Sequence, residues 1–510
     1  MRHATVVREF RQRAGESDFV AVIDDSGEHT ARQLLARADE LAGGLGGERG
    51  AGTVVVQADN TWRTVAATLA VGTGGGVLAV VNRHTTRGEF AAVVEDLQPD
   101  AVVAEPSAMR EWDVPASFPA GEAHAVLDGW ECRTSGATPD VSRWSGGALI
   151  GLTSGSTGRA KGVVQSEEAL RYACGHSIDI NGLRPGDAVG AIVPLSSAAA
   201  YCFGVYLSLM LGGRLVLCGK WEPAAVLARM AETHVRWTMC VPTMALQLGA
   251  AAAGSRALAG MRSITVGGGP MEAAVLARAE RSLGTRILRV FGMSECLGHT
   301  SPRPEDPEGT RLGRDGIPFP GTEVRAVDEA GEPVPPGVAG RAQVRGPSLF
   351  LGYARGGKLD PPALTADGFF PTGDLVRVDD DGAISVMGRE KDVIIRGGRN
   401  IDITEIERAL ATHLRVAAVC VVAVPDAILG ERVAALVVTT DGGHFELEEA
   451  TRHLQELGLS KTKWPEFVFA VDSLPQTTVG KLDRRCARDL AHELHSRLPK
   501  DDATPAEGRA

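Results

Sequence analysis

Positive charge is in short supply in this 510-residue chain: 53 Lys and Arg stand against 64 Asp and Glu, a formal net charge of −11. That balance argues against nucleic-acid binding, because phosphate backbones need clustered Lys and Arg. A small anionic ligand stays open, since it needs only a local basic site. The eight cysteines, at 132, 174, 202, 218, 240, 296, 420 and 486, contain no CxxC pair. Reduced, mostly buried thiols in a cytoplasmic protein are therefore expected. No apolar run reaches the roughly 18 residues of a membrane span, so no membrane insertion is expected. The N-terminal MRHATVVREFRQRAGE has no apolar core of signal-peptide length. There is no tandem repeat either.

What is present is a globular composition. Apolar residues make up 44% of the chain and charged residues 23%, enough for sizeable cores and against global disorder. The length calls for at least two domains. Strand-like runs alternate with helix-like segments from the start. TVVVQA (53–58), GVLAVV (76–81) and DAVVAE (100–105) read as buried strands, with helices at 61–75 and 89–98 between them. The pattern resumes at ALIGLT (148–153), AVGAIVP (188–194), GRLVLCG (213–219), TMCVP (238–242), SITVGGGP (263–270) and RILRVFGMSE (286–295). Such alternation predicts βαβ units around parallel sheets. After about residue 312, short β-runs separated by Gly and Pro predict a β-rich subdomain. A charged, glycine-rich stretch near 388–400 marks a boundary. The expected class is α/β: a large N-terminal domain (1–390) with parallel βα subdomains and a β-rich subdomain, then a small mobile α+β domain (391–510). In that small domain TEIERALATHL (404–414) reads as a helix with a capping box from Thr404 to Glu407. The tail 497–510 reads as disordered.

The strongest local signal is Gly151-Leu-Thr-Ser-Gly-Ser-Thr-Gly-Arg-Ala-Lys161-Gly162, between a buried strand and a helix opened by Ser166. Gly155 and Gly158 let backbone N–H groups approach an anion. The hydroxyls of Thr153, Ser154, Ser156 and Thr157 add donors and Lys161 adds charge. This is a phosphate-cradling loop but not GxxxxGK[ST], because Lys161 follows Ala160 and precedes Gly162. Further on, Phe291-Gly292-Met293-Ser294-Glu295 sets an aromatic beside a carboxylate at a strand end, which suits a purine and a metal-bound phosphate. Asp374, in Thr372-Gly-Asp-Leu375, puts a carboxylate on a tight turn, where it can accept from two ribose hydroxyls.

With these segments the sequence resembles the acyl-adenylate-forming superfamily. That group holds acyl-CoA synthetases, aryl-acid ligases, firefly-type luciferases and the adenylation domains of nonribosomal peptide synthetases. The loop TSGSTGRAKG is similar to [ST]SG[ST]TGxPKG, with Ala160 in place of proline. The resemblance continues in order through Gly267-Gly268-Gly269-Pro270, FGMSE and TGDL. It then runs through Gly388-Arg389-Glu-Lys391-Asp-Val-Ile-Ile-Arg-Gly-Gly-Arg-Asn-Ile401 and Leu474-Pro-Gln-Thr-Thr-Val-Gly-Lys481-Leu-Asp-Arg484. The N-terminal third is looser, since GVLAVVN lacks the family's proline.

The resemblance implies ATP, Mg²⁺ and CoA. It lays Gly268, Gly269, Pro270 and Phe291 along adenine and Ser294 near the α-phosphate, with Glu295 as metal ligand. It gives Asp374 and Arg389 to the ribose and makes Lys391 the hinge. It sets 396–401 facing the thiol acceptor, and makes Lys481 the cation that touches both acid and phosphate. Lys481, Glu295 and Lys161 are thus the expected catalytic residues. The acid pocket would draw on Ser197, Ala198, Tyr201, Gly268, Leu297 and Gly298. Small residues at 197–200 suggest a roomy pocket for a bulky, apolar carboxylic acid. No acidic residue stands in these segments where amino-acid-activating domains hold an amine. The reaction expected is formation of acyl-AMP with pyrophosphate release, then transfer to the thiol of CoA. The alternatives are delivery to a carrier protein or a separate thiolation enzyme and, from another class, a non-catalytic nucleotide-binding protein. A monomer or homodimer is expected.

Overall fold

The computed structural model describes residues 4–45, 50–118, 123–154, 159–269, 273–390, 392–396, 399–426, 428–477 and 480–497. The chain divides into two compact units. One is built from the described residues within Met1–Gly268, Ala273–Thr372 and Arg377–Ser385; the other from those within Gly269–Glu272, Gly373–Val376 and Val386–Ala510.

The larger unit holds a nine-stranded and a seven-stranded sheet among the described residues. At the centre of the first, Gly147–Ser154, Val77–Val81, Thr53–Gln57 and Ala101–Ala104 run parallel. These strands read as unbroken apolar runs because both faces are buried. Val54, Val56, Val80 and Leu149 point into one core, and Val55, Ala79, Val81 and Ile150 into the other. The seven-stranded sheet is parallel except at one edge, where Val20–Asp24 turns back into Gly27–Thr30. The predicted βαβ architecture is therefore present. Past residue 312, Glu323–Val327 and Ala339–Arg345 pair antiparallel, as the Gly- and Pro-punctuated sequence predicts.

The smaller unit is built on the long antiparallel pair Val416–Asp426 and Gly430–Thr439. Alternate residues face opposite ways. Val421, Val433, Ala435 and Val437 pack toward the helices Ile403–Ala411 and Leu447–Glu456. Cys420, Val422, Ala434 and Leu436 pack toward Arg484–Ser496. The predicted capping box at Thr404 is absent. The helix begins at Ile403, and the Asp402 carboxylate caps it by accepting from the Thr404 N–H at 2.8 Å. Glu407 faces the interior instead, where it accepts from the Val421 N–H and from Arg484. A long-range ion pair has taken the carboxylate that the local pattern assigned to the cap.

Seven cysteines are buried and Cys486 is exposed; all eight are unpaired. Among the described residues no helix is long and apolar enough to cross a membrane.

Candidate active site

The phosphate-type loop joins two strands and does not meet a helix directly. Gly147–Ser154 pairs antiparallel with Ala160–Ser166, and Lys161 lies opposite Thr153. The helix follows only after this second strand, at Glu167–Ile180, and Ser166 caps it by accepting from the Ala169 N–H. The expected loop is therefore followed by a strand, with the helix one element further on. Gly155, Ser156, Thr157, Gly158 and the side chain of Ser154 lie outside the described residues. The return strand leaves Lys161 beside an aromatic ring: its Nζ is 5.0 Å from the centroid of Tyr353.

The strand Arg286–Arg289 delivers the second segment. Phe291 is buried, its N–H donates to Thr300 Oγ1, and its ring meets that of His299 edge-on at 4.7 Å. Met293 and Cys296 exchange backbone hydrogen bonds at 3.1 and 3.2 Å, a tight turn with Ser294 and Glu295 at its tip. Three groups hold that turn. Gln165 Nε2 donates to the Ser294 carbonyl, the Phe350 N–H donates to the Glu295 carbonyl, and the Tyr353 hydroxyl donates to Glu295 Oε1 at 2.9 Å. Burial, and then the Glu295 carboxylate, push the Tyr353 phenol above its ordinary pKa. Burial depresses His299 to about 4. Its neutral ring donates through Nδ1 to the Cys296 carbonyl, so it cannot act as an acid near neutral pH.

Among the described residues no cationic side chain forms an ion pair with Glu295. A carboxylate oriented by a neutral donor suits a hard cation better than a structural salt bridge would. No group of three potential ligands occurs among the described residues. Magnesium held mainly by phosphate oxygens and water needs only one or two carboxylates, so Glu295 fits it.

Of the expected acid-pocket residues, Ala198, Tyr201 and Leu297 share one core, and Gly298 packs on Phe203. Ala198–Ala200 begins a helix that widens into a π-turn at Tyr201–Tyr206, a form frequent at functional sites. At Ala198, close packing accounts for the small side chain. A Cβ on Gly151 would come within 2.4 Å of Ala198 Cβ, so the helix and the strand approach closely there. Ala198, Tyr201 and Leu297 are buried in the main core, whereas Ser197 is partly exposed. Gly298 has φ +35°, and a Cβ there would lie 2.4 Å from Phe203 Cζ, so glycine lets that ring pack against the backbone. Gly268 also has a positive φ, +86°. Gly269 is in an irregular segment next to Pro270, which lies outside the described residues.

Two asparagines missed by motif reading anchor this region. Asn60 Nδ2 donates to the carbonyls of Ala191, Val193 and Cys218, while its Oδ1 accepts from the Leu195 N–H. Asn82 Nδ2 donates to Ser196 Oγ at 2.9 Å. Each sits just past a central strand, where a side-chain amide can bond an irregular backbone.

In the smaller unit, Asp374 is buried and pairs with the exposed Arg389 at 3.1 Å. Lys391 lies outside the described residues. Val393–Arg396 and Arg399–Asp402 form an antiparallel hairpin, and Arg396 at its end pairs with Glu466 at 2.7 Å. Lys481 is exposed on a loop closed by the Thr477 N–H donating to the Lys481 carbonyl at 2.7 Å. Gly480, at φ +77°, makes the turn. Just beyond, Arg484 pairs with Glu407 and with Asp392. Arg484 thus ties the root of the lysine loop to the residue after position 391.

Parallel sheets, with a lysine and an oriented carboxylate on one tyrosine ring, give the larger unit the frame of an α/β enzyme. The model of the AMP-binding enzyme family matches residues 10–354, and that of the AMP-binding enzyme C-terminal domain matches 405–481. The chain belongs to the AMP-binding enzyme family. It is 35% identical to triostin synthetase I of Streptomyces triostinicus, over 93% of this chain and 92% of that one. It is 34% identical to a salicylyl-CoA synthase / salicylate adenylyltransferase of a Streptomyces species, over 93% and 91%. ATP-bound MatB from Rhodopseudomonas palustris shares the fold with a TM-score of 0.84 and 26% identity, over 97% of this chain and 100% of that one.

Proposed function

We propose that this AMP-forming acid–thiol ligase activates an aryl carboxylic acid and passes the acyl group to the thiol of CoA. The observation that carries the first half is the placement of Lys161 and Glu295 on one ring, Tyr353, at the end of the phosphate-type hairpin. An ammonium and a carboxylate that share one neutral ring, with no ion pair to that carboxylate among the described residues, suit a nucleotide triphosphate with its metal. Similarity to the salicylyl-CoA synthase over 93% of the chain supports the aryl acid and the CoA acceptor. The lack of an acidic side chain at 194–204 supports an acid without an amine.

An ionised carboxylate must attack the α-phosphorus, itself surrounded by anionic oxygens, and expel pyrophosphate. No general base is needed, since a carboxylic acid is already deprotonated at neutral pH. The barrier is charge repulsion. Lys161 and the hydroxyls of Thr153, Ser154, Ser156 and Thr157 would lie along the phosphates. Magnesium, when bound, would be held by Glu295 and would neutralise phosphate charge. Phe291 and the turn at Gly268, Gly269 and Pro270 would bind adenine, with Gly292, Met293 and Ser294 completing that wall. Asp374 would take the ribose hydroxyls beside Arg389, and Lys481 would supply the cation shared by acid and phosphate. Ser197, Ala198, Tyr201, Leu297 and Gly298 would shape the acid site.

The test is pyrophosphate release with ATP against a panel of aryl, fatty and amino acids, followed by mass spectrometry of the products with CoA. Aryl acids should turn over fastest and yield acyl-CoA. Preference for an amino acid, or an acyl-adenylate that never reaches CoA, would overturn the substrate and the acceptor respectively.

A hinge at Lys391 gives a separate expectation. Proline fixes φ and restricts the preceding residue. Lys391→Pro should leave ATP–pyrophosphate exchange near the wild-type rate and abolish thioester formation. Equal loss of both in the two assays would count against a hinge there.

A further inference from the structure

Tyr353 is on the strand Gly352–Arg355, which pairs antiparallel with Ala160–Ser166 and places Tyr353 opposite Val163. Residues two apart on a strand share a face. Lys161 is therefore the diagonal neighbour of Tyr353 on the same face, within reach of a long side chain. Its ammonium rests 5.0 Å from the ring centroid. The hydroxyl of the same ring donates to Glu295 Oε1 at 2.9 Å. Phe350 meets the ring edge-on at 4.9 Å and keeps it in place. One rigid side chain thus touches both charged residues.

This arrangement solves a problem of opposite charges at short range. A Lys and a Glu left alone beside each other would pair and cancel, and neither would serve a phosphate or a cation. The phenol is neutral and touches both, with its face under the ammonium and its hydroxyl on the carboxylate. We propose that Tyr353 is a positioning residue that holds Lys161 and Glu295 apart and aims both at the metal–triphosphate group of the nucleotide. The proposal rests on the reading of Glu295 as metal ligand and Lys161 as phosphate ligand given above.

Calorimetric titration of the full-length chain with ATP, once in magnesium and once in EDTA, tests it. Wild-type protein should bind ATP more tightly in magnesium. Tyr353→Phe keeps the ring and loses the hydroxyl. It should lose about tenfold of that magnesium-dependent gain, the size expected when an outer-shell hydrogen bond to a metal ligand is removed, with its affinity in EDTA unchanged. Tyr353→Leu removes the ring as well and should weaken binding in EDTA too, by about threefold. A Tyr353→Phe protein that keeps the wild-type magnesium gain, while Glu295→Gln loses it, overturns the proposal. A lowered melting temperature with that gain intact also overturns it, because it marks Tyr353 as packing only. If Glu295→Gln itself keeps the gain, the metal reading of Glu295 fails, and the proposal falls with it by that separate route.

Discussion

Lys481→Ala should cut ATP–pyrophosphate exchange by about 10²-fold or more, roughly 2.7 kcal/mol of transition-state stabilisation, and leave thioester formation from supplied acyl-adenylate nearly unchanged. The reasoning is electrostatic. In adenylation a carboxylate approaches a phosphate, and each cation removed leaves repulsion that no other group at the acid replaces. In thiol transfer the phosphate is the leaving group of an anhydride already formed, and the cation has lost that task. Alanine keeps the two backbone bonds at this position, from the Thr477 N–H to the residue 481 carbonyl and from the residue 481 N–H to Thr477 Oγ1. Arg484 still roots the loop on Glu407 and Asp392. Exchange in Lys481→Ala near the wild-type rate would sink the assignment. Loss of both half-reactions together, with a lowered melting temperature, would point to a structural lysine.

The sheets were legible because their central strands are buried on both faces. Thr53–Gln57 and Val77–Val81 have no exposed side to confuse the reading. The strand Ala160–Ser166 was not legible. Its first half, Ala-Lys-Gly, carries a charged residue, Lys161, and a small residue where a Cβ would meet Ala354 and Ile150 at 3.1 Å. Charge and close packing erased its β pattern, so the loop read as leading straight into a helix. The capping box failed for a related reason. Thr404 and Glu407 have the right spacing, but Arg484, 77 residues away, claims the carboxylate. A local rule cannot see a partner at that distance.

The candidate site divides the same way. Residues that would touch the nucleotide stand in short ordered motifs, and the sequence names them. Residues that would orient them do not. Tyr353 is 58 residues from Glu295, and Gln165 is 129 from Ser294. A tyrosine after a glycine, or a glutamine inside an apolar strand, carries no chemistry until the fold brings it to a partner. For Gln165 the only hint was a polar residue in the otherwise apolar run Gly162-Val-Val-Gln165. The acid pocket was the least legible part. Alanines at 198–200 looked like space, but at Ala198 the small side chain reflects contact between a helix and a strand.

Arg311→Met should lower the stability of the larger unit by about 3–5 kcal/mol, the usual loss when one partner of a buried ion pair is removed. Arg311 has no exposed surface. Its guanidinium forms two hydrogen bonds with the Glu280 carboxylate, one of them 2.9 Å, and a third reaches the Ile287 carbonyl. Glu280 also accepts from the Ile287 N–H at 2.7 Å. The pair therefore locks the helix Ala273–Leu283 to Glu308–Gly313 and to the strand Arg286–Arg289, which leads to Phe291. Burial opposes ionisation of Glu280, but hydrogen bonds from Arg311 and Ile287 together outweigh it and hold its pKa below the usual value. The pH dependence follows. In the wild type the pair's contribution is complete above the unfolded carboxylate pKa and fades as pH falls through the lower folded value. In Arg311→Met the same carboxylate loses its buried cation and keeps only the more exposed Arg286, 3.5 Å away, so its folded pKa should rise instead. The melting deficit of the variant should then be larger at pH 8 than at pH 5.5, where protonation relieves the under-compensated charge. Calorimetric melting at the two pH values, with Arg311→Met/Glu280→Leu alongside, separates charge from packing. The double variant should recover more than half of the loss at pH 8, short of full recovery because the Ile287 N–H is left without its acceptor. An equal deficit at both pH values, or no recovery in the double variant, would mean that the arginine acts through its volume alone.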